Sequence, residues 1–304
     1  MAILVIKLGA LGDFVQALGP FAAIRHHHAD TRIILLTTTA YRELAEASRF
    51  FDDVWTGGRP SGLDIGGWLV LRRRMRGGGV ERVYDLQTSD RSSFYRNLFW
   101  PAAAPEWSGI ARGCSHPHTN PDRDVMHTVE RQAEQLSQAG IAKVPPVDLA
   151  GPEWKSDVSR FELKDRFILL APGGAAHRPE KRWPSGNFVA LAKALVERGI
   201  TPVCVGTEEA LIDSISAQCP EMLNLAGQTS LLDVVALAQD AVAAVGNDTG
   251  PMHLVASAGC ASVVLYSNES DPALCGQRGA SVTILRRDNL ADLSVAEVVD
   301  AVSL

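Results

Sequence analysis

The feature that most constrains the fold of this chain is a regular alternation of short apolar segments with longer helical ones. Residues 3–6 and 32–37 are largely apolar, β-branched runs, and between them residues 14–25 have helical spacing. Continuous apolar strands joined by helices are typical of a parallel sheet that is covered on both faces. The sequence therefore predicts an α/β protein built on parallel sheets.

The alternation stops once and then restarts. Residues 144–165 contain three prolines and a glycine and show no convincing period, which indicates a boundary between domains. Each half should be a Rossmann-like domain, with ligands bound at the carboxyl ends of its strands. The predicted organisation is an N-terminal domain at residues 1–150, a linker at 151–165, a C-terminal domain at 166–290 and a last helix at 291–304.

Composition excludes several classes of protein. The chain has 35 acidic and 29 basic residues, a formal net charge of −6, and this acidic balance disfavours a nucleic-acid partner. Five scattered cysteines without a CxxC pair indicate reduced thiols in a cytoplasmic protein, not a zinc site or a secreted scaffold. No apolar run reaches the roughly 18 residues that a membrane-spanning helix requires. We therefore expect a cytoplasmic protein with no transmembrane segment.

A glycine-containing loop at residues 7–13 follows the first predicted strand. Gly9 and Gly12 would let the backbone approach a ligand closely, and Asp13 would lie at a helix N-terminus at the carboxyl edge of the sheet. Asp13 could act as the cap of that helix or as a catalytic base. The residues alone leave both roles open.

Two further loops are suited to an anion. Residues 172–184 join a glycine pair to Lys181 and Arg182, and loop amides beside a cation are typical of phosphate sites. Residues 245–253 place Asp248 and a Thr-Gly pair ahead of a helix, whose N-terminus would suit a diphosphate. The alternatives are a solvated charged loop and, for His253, a structural histidine.

Two other patterns carry less information. The histidines at residues 26–28 are consecutive at a helix end and do not share a face, so a metal site is disfavoured. Residues 72–76 read Arg-Arg-Arg-Met-Arg, a basic run in an acidic chain. This run could be solvated surface, or it could attract an anionic acceptor.

Longer motifs run through the chain in a fixed order. The first half contains IKLGALGDFVQALGPFAAIR, VYDLQTSDRSS and HTVERQAEQL, and the second half contains KRWPSGNFVALAKAL, VCVGTEEA, GQTSLLDV and GNDTGPMHLVASAG. From residue 3 to about 272 these motifs resemble, in order and register, those of the heptosyltransferase family, family 9 of the glycosyltransferases. The run Ala-Leu-Cys-Gly-Gln that follows residue 272 departs from the family pattern.

This resemblance implies a GT-B fold, with two Rossmann-like domains whose parallel sheets face a central cleft. The implied activity is that of an inverting glycosyltransferase, which moves a sugar from a nucleotide sugar, typically ADP-heptose, to a lipopolysaccharide inner-core acceptor. No metal or other cofactor would be required. The acceptor would be an anionic glycolipid at the inner membrane surface, where the enzyme could lie peripherally. The last helix would pack back on the N-terminal domain.

The resemblance also implies residue roles. Asp13 would be the general base that deprotonates the acceptor hydroxyl, and Lys181 would neutralise the leaving diphosphate. Glu209 would bind the ribose, or Glu208 if the motif is shifted by one, and Thr229 would contact the adenine. The other implied donor-binding residues are Gly173, Gly174, Asp248, Thr249, Gly250 and His253, and the implied acceptor-binding residues are Lys7, Gly12, Gln87, Arg91, His127 and Arg131.

Three alternatives differ in how well they fit the sequence. The same chemistry could act on a protein or on another surface glycan, or could use another nucleotide sugar, because acceptor loops are irregular. An NAD-dependent dehydrogenase is disfavoured, since the chain lacks GxGxxG and the acidic residue that accompanies it. A non-catalytic relative is disfavoured by the presence of both Asp13 and Lys181.

Overall fold

The computed structural model describes residues 1–174 and 178–302 of the chain. The chain divides into two compact units, Met1–Pro146 and Val147–Leu304. Every strand pair in the described residues is parallel, which confirms the predicted fold class. The first unit ends at residue 146, slightly before the predicted domain end at residue 150.

The first unit is a parallel sheet with helices between its strands. The strands are β1 (Ala2–Ile6), β2 (Arg32–Leu36), β3 (Asp53–Trp55), β4 (Val80–Asp85), β5 (Glu106–Gly109) and β6 (His116–Pro117). The helices are α1 (Leu11–Gln16), α2 (Leu18–His27), α3 (Arg42–Ala47), α4 (Ile65–Gly77), α5 (Asp90–Tyr95) and α6 (Thr128–Gln138). The strand order is β3-β2-β1-β4-β5-β6. All residues of β1 are buried, as expected for an interior strand covered on both faces.

The second unit repeats this architecture. Its strands are β7 (Phe167–Ala171), β8 (Thr201–Cys204), β9 (Leu223–Asn224), β10 (Ala243–Asn247), β11 (Ser262–Tyr266) and β12 (Val282–Arg286). Its helices are α7 (Ser185–Glu197), α8 (Glu209–Ser216), α9 (Leu231–Asp240), α10 (Gly250–Ser257), α11 (Pro272–Cys275) and α12 (Val295–Val302). The strand order is β12-β11-β10-β7-β8-β9, and β7, β10 and β11 are buried along their whole length.

In each unit the strand order changes direction beside the first strand. From β1 the chain continues to β2 and β3 on one side and then returns to β4 on the other side of β1. In the same way it runs from β7 to β8 and β9 and returns to β10 beside β7. In open α/β sheets, ligands bind outside the carboxyl ends of such strand pairs. The expected ligand-binding positions are therefore the loops after β1 and β4 in the first unit and the loops after β7 and β10 in the second unit.

The segment predicted as a linker, residues 151–165, is packed into the second unit. Trp154 is only 4% exposed. The carboxylate of Asp233 accepts hydrogen bonds from Ser156 (2.7 Å) and from Arg160 (2.5 Å). A buried tryptophan and a shared buried carboxylate thus hold this predicted linker against α9.

The last helix, α12, also belongs to the second unit. Its side chains Val298 and Val302 lie in the core of that unit, where α12 contacts α7, β10 and β11. The sequence predicts that residues 291–304 pack on the N-terminal domain. The apolar face of this amphipathic helix is buried in the second unit, and packing of the segment on the N-terminal domain stays a prediction. Residues 303 and 304 lie outside the described residues.

The helices of both units are short. α4 and α7, with 13 residues each, are the longest helices in the described part of the chain. Among residues 1–174 and 178–302, no helix combines the length and the apolar character that crossing a membrane requires.

Substitution of Trp154 tests whether its segment is part of the second unit. Trp154→Ala should lower the free energy of unfolding by about 3–5 kcal/mol, because it removes a large buried side chain and leaves a cavity. Trp100 is 73% exposed and provides the matched control, since Trp100→Ala should change stability by at most about 0.5 kcal/mol. Urea unfolding measures both variants. If both variants lost an equally small amount of unfolding free energy, residues 151–165 would be a linker that does not pack on the second unit.

Candidate active site

A buried amide joins the loops after β7 and β10. Asn247, the last residue of β10, donates from Nδ2 to the carbonyl oxygens of Pro172 (2.8 Å) and Gly173 (3.0 Å). Its Oδ1 accepts from the backbone N–H of Trp183 (2.9 Å). These bonds fix both described ends of the loop at residues 172–184, of which residues 175–177 lie outside the described residues. Asn247 lies in the GNDTGPMH motif, but no local pattern predicts its role.

An ion pair lies at the same edge of the sheet. Nζ of Lys181 is 2.7 Å from Oδ2 of Asp248, and the two side chains are 15% and 7% exposed. Ser270 donates to the same oxygen (2.7 Å). Burial would raise the pKa of Asp248, but the hydrogen bonds from Lys181 and Ser270 and the charge of Lys181 lower this pKa below its ordinary value. Asp248 is therefore an anion that holds a cation at the sheet edge.

Two buried residues hold the other oxygen of Asp248. Nε2 of Gln277 donates to Oδ1 of Asp248 (3.3 Å), and Oε1 of Gln277 accepts from the hydroxyl of Tyr266 (2.8 Å). Neither residue is among the predicted site residues. Gln277 ends the run that departs from the family pattern. This departure was the signal in the sequence that could have indicated a role for Gln277.

The N-terminus of α10 carries a buried hydroxyl, that of Thr249. Thr249 is the N-cap residue of α10, but its side chain does not cap the helix. Its Oγ1 is buried and has no hydrogen-bond partner among the described residues. A Cβ atom built on Gly174 would lie 3.7 Å from Cγ2 of Thr249, so the glycine loop and this helix end are neighbours. Because a helix N-terminus also presents free N–H groups, this place favours an anion.

Arg182 borders the same place. Its Nη2 donates to the carbonyl oxygen of Gly174. Its Nε is buried and, within the described part of the chain, has no hydrogen-bond partner. We call Lys181, Arg182, Thr249 and Gly250 the anion cluster. It combines two cations, a buried hydroxyl and a helix N-terminus, which is the chemistry that binds a diphosphate.

The two glutamates before and at the start of α8 have different surroundings. Oε1 of Glu208 accepts from the backbone N–H of Gly174 (3.0 Å). A Cβ atom on Gly173 would lie 2.3 Å from Oε2 of Glu208, so only glycine permits this close approach. Glu209 is exposed and lies beside Gly227. Glu208 thus anchors the glycine loop, whereas the carboxylate of Glu209 faces solvent.

Thr229 and His253 lie near this edge on two other elements. Thr229 precedes Ser230, the N-cap residue of α9, whose hydroxyl accepts from the backbone N–H of Asp233 (3.2 Å). His253 is buried within α10. The roles predicted for Thr229 and His253 in donor binding stay predictions.

In the first unit, Asp13 lies inside a helix and not at its N-cap. α1 begins at Leu11 and its N-cap residue is Ala10, so Asp13 takes part in capping from the third position of the helix and not as the N-cap residue. The Asp13 carboxylate accepts from the backbone N–H of Ala10 (3.3 Å). Lys7 and Arg131 both lie close enough for their charges to interact with Asp13. The structure thus brings together three of the residues that the sequence assigns to acceptor binding and catalysis.

Two buried ionisable residues lie between the first strands of this unit. Lys7 donates from Nζ to the carbonyl oxygen of Leu86 (3.0 Å), and burial lowers the pKa of Lys7. Asp85, at the end of β4, accepts at Oδ1 from the backbone N–H groups of Gln87 (3.1 Å) and Thr88 (3.0 Å). Burial raises the pKa of Asp85 to about 6 despite these hydrogen bonds.

The other predicted acceptor residues make contacts within the protein. Gln87 accepts from the backbone of the loop after β1 (2.7 Å), and Arg91 donates to the carbonyl oxygen of Pro60 (2.8 Å). His127 is the N-cap residue of α6 and its side chain caps that helix, while Gly12 is the second residue of α1. Acceptor binding by Gln87, Arg91, His127 and Gly12 therefore stays a prediction.

Comparison with known proteins identifies the family. Residues 68–298 match the model of glycosyltransferase family 9 (heptosyltransferase). The chain belongs to glycosyltransferase family 9. It is 25% identical over 284 residues to lipooligosaccharide heptosyltransferase 2 of Haemophilus ducreyi, a match that covers 84% of this chain and 80% of that protein. It is 36% identical over 228 residues to lipopolysaccharide heptosyltransferase 2 of Escherichia coli strain K12, a match that covers 68% of this chain and 66% of that protein.

A solved structure with a similar fold is also a heptosyltransferase. The structure of E. coli ADP-heptose lps heptosyltransferase II superimposes with a TM-score of 0.81 at 23% identity, covering 100% of this chain and 98% of that chain. The two parallel six-stranded sheets of the described residues thus match a GT-B-type architecture. Family 9 membership confirms the predicted resemblance and a glycosyltransferase activity, and it overturns the dehydrogenase alternative.

Asp85 makes the stability of the family 9 fold depend on pH. Its pKa is about 6 in the folded chain and near 4 in an unfolded one, so its stabilising effect is complete below pH 4 and is lost as the pH rises through 6. Between pH 4 and 7, the wild type should lose about 2–3 kcal/mol of unfolding free energy relative to Asp85→Asn, which cannot ionise. Urea unfolding at several pH values measures this difference.

The matched control is Asp90→Asn, which changes an exposed aspartate on α5. This control should keep the pH profile of the wild type. Parallel profiles for the wild type and Asp85→Asn would contradict the account of a buried carboxyl that resists ionisation.

Proposed function

We propose that the chain transfers heptose from ADP-heptose to a lipopolysaccharide inner-core acceptor, with inversion at the anomeric carbon. The observation that carries the donor half is the buried hydroxyl of Thr249, which has no hydrogen-bond partner among the described residues and lies at the N-terminus of α10, beside Lys181 and Arg182. The names of related proteins, an ADP-heptose transferase and lipopolysaccharide heptosyltransferases, support these donor and acceptor classes. A position at the inner face of the inner membrane belongs to the same proposal.

In the proposed donor complex, the diphosphate binds to the anion cluster. The hydroxyl of Thr249 and the N–H of Gly250 donate to its oxygens, and Lys181 stabilises the charge that develops on the departing ADP. Asp248 holds Lys181 in place before the donor arrives, and Ser270 bonds to the same carboxylate, so little reorganisation accompanies the reaction. These groups can take the place of a divalent cation, and the proposal therefore includes no metal ion.

The nucleoside is assigned to the edge near α8. We assign the ribose to Glu209, because the carboxylate of Glu208 is already bonded to the backbone of Gly174. The exposed carboxylate of Glu209 can accept from two ribose hydroxyls. Thr229, which lies two residues after the glycine beside Glu209, is assigned to the adenine.

Asp13 is assigned the role of general base. An alcohol is a poor nucleophile at neutral pH, and a carboxylate within hydrogen-bond reach removes its proton as the new bond forms. The acceptor oxygen then bonds to the anomeric carbon, the bond from that carbon to the ADP oxygen breaks with its electron pair on ADP, and the proton goes to Asp13. The charges of Lys7 and Arg131 interact with Asp13, and they attract an anionic acceptor to it.

Substitution of Asp13 tests the proposal. Asp13→Asn should reduce turnover by about 10²–10⁴, because the amide cannot take the proton, while the affinity for ADP stays within twofold of the wild type. Turnover is measured as ADP released from ADP-heptose in the presence of a heptose-deficient lipopolysaccharide, and ADP affinity is measured by calorimetry. Asp30→Asn, at an exposed aspartate of the same unit, should match the wild type in both measurements.

Each other result has a distinct meaning. Undiminished turnover by Asp13→Asn would remove Asp13 from catalysis, and loss of ADP binding would make it a structural residue. ADP binding by the wild type without turnover on lipopolysaccharide would favour a protein or another glycan as acceptor. Turnover with a different nucleotide sugar in place of ADP-heptose would discard heptose as the donor sugar.

A further inference from the structure

Helix α4 and the residues before it form a basic region in an acidic protein. Between Gly57 and Gly79 the chain has five arginines and a single aspartate, so this stretch has a formal charge of +4 although the whole chain has −6. Asp64 is bound to the start of α4, where its side chain accepts from the backbone N–H of Gly67 (2.8 Å). The positive charge at the other end of the helix is therefore not compensated from within this stretch.

The outward face of α4 is apolar as well as basic. Leu71 and Met75 are the residues of α4 that are buried in the first unit. Ile65, Leu69 and Val70 are 71%, 58% and 54% exposed. Single exposed apolar residues are common, but three such residues on one short helix form a patch.

Trp100 extends this patch. Its side chain is 73% exposed, and its carbonyl oxygen accepts from Nη2 of Arg72 (2.7 Å), so it lies next to α4. Tryptophan is typical of surfaces that contact the headgroup level of a membrane, because its ring is apolar and its N–H is polar. We call Ile65, Leu69, Val70, Arg73, Arg76 and Trp100 the α4 surface.

The side chains of the two arginines of the α4 surface have no partner among the described residues. Arg73 and Arg76 are exposed, and in residues 1–174 and 178–302 their side chains form no hydrogen bond or ion pair. At helical spacing, Arg73 and Arg76 lie on the same side of α4 as Leu69 and Val70, opposite Met75. Apolar side chains beside uncompensated arginines are complementary to a surface with anionic groups above an apolar layer.

We propose that the α4 surface binds the surface of an anionic lipid bilayer, with α4 lying in the plane of the interface. Its apolar residues would enter the headgroup region and its arginines would contact lipid phosphates. A second copy of the chain fits less well, because a symmetric contact would place like charges opposite each other. This inference deepens the proposed function, since it names the surface that would hold the protein at the membrane, and it requires neither the donor nor the acceptor sugar.

Vesicle binding of the purified full chain, without nucleotide, tests the proposal. The wild type should bind vesicles of phosphatidylglycerol and phosphatidylethanolamine at least tenfold more tightly than vesicles of phosphatidylcholine, and salt should weaken this binding. Arg73→Gln/Arg76→Gln should weaken binding to the anionic vesicles by about thirtyfold. Leu69→Ser/Val70→Ser should weaken it by about tenfold.

The matched control removes two charges from an exposed site of the second unit. Lys164→Gln/Arg166→Gln should bind the anionic vesicles as the wild type does. Thermal unfolding should give the same midpoint for all variants, since every substituted side chain is exposed, and an unchanged affinity for ADP shows that the second unit is intact.

Three results would overturn the proposal. The first is equal affinity of the wild type for neutral and anionic vesicles. The second is that the α4 variants and the control variant lose the same amount of affinity for anionic vesicles. The third is that the wild type binds no vesicle at all. In the last case, a concentration-dependent dimer that the α4 variants abolish would identify a second copy as the occupant. A failure here leaves the sugar-transfer proposal untouched, because the turnover of Asp13→Asn is measured independently.

Discussion

The site in the second unit depends on the buried side-chain amide of Asn247. Its three hydrogen bonds join the loop after β7 to the end of β10, and a buried amide that lost them would leave several polar groups unpaired at a cost of about 1–3 kcal/mol each. This constraint brings Lys181 and Arg182 beside Asp248 and Thr249, which follow Asn247 directly. The anion cluster is therefore a consequence of how two neighbouring strands are tied together at their carboxyl ends.

The two units treat their ionisable groups in opposite ways. In the second unit Asp248 is buried but paired with Lys181, and its pKa is low. In the first unit burial dominates, so the pKa of Lys7 is lowered and that of Asp85 is raised to about 6. Asp85 is fully buried and out of reach of a substrate, whereas Asp13 is only partly buried and lies near two cations. This difference is the physical reason for assigning the base to Asp13.

Local patterns in the sequence predicted those elements whose structure depends on neighbouring residues. The buried strands β1 and β7 and the helix end at Thr249 could be read from neighbouring residues. The break between α1 and α2 could not, because Ala17 favours helix and the residues around it keep helical spacing. The contacts of Asn247 with residue 172 and of Arg160 with Asp233 join positions more than 70 apart in sequence, so they gave no local signal. For this reason residues 151–165 looked like a linker.

The central claim is that the anion cluster binds the diphosphate of an ADP-sugar, and nucleotide-dependent melting tests it most directly. The wild type would be heated with ADP, UDP, GDP or NAD, and Lys181→Ala with ADP. The account predicts that ADP alone stabilises the wild type, by several degrees at 100 times its Kd, since this adds about 2.7 kcal/mol. Lys181→Ala should show a much smaller shift at the same concentration. Equal stabilisation by UDP, GDP or NAD, or an undiminished ADP shift in Lys181→Ala, would contradict it.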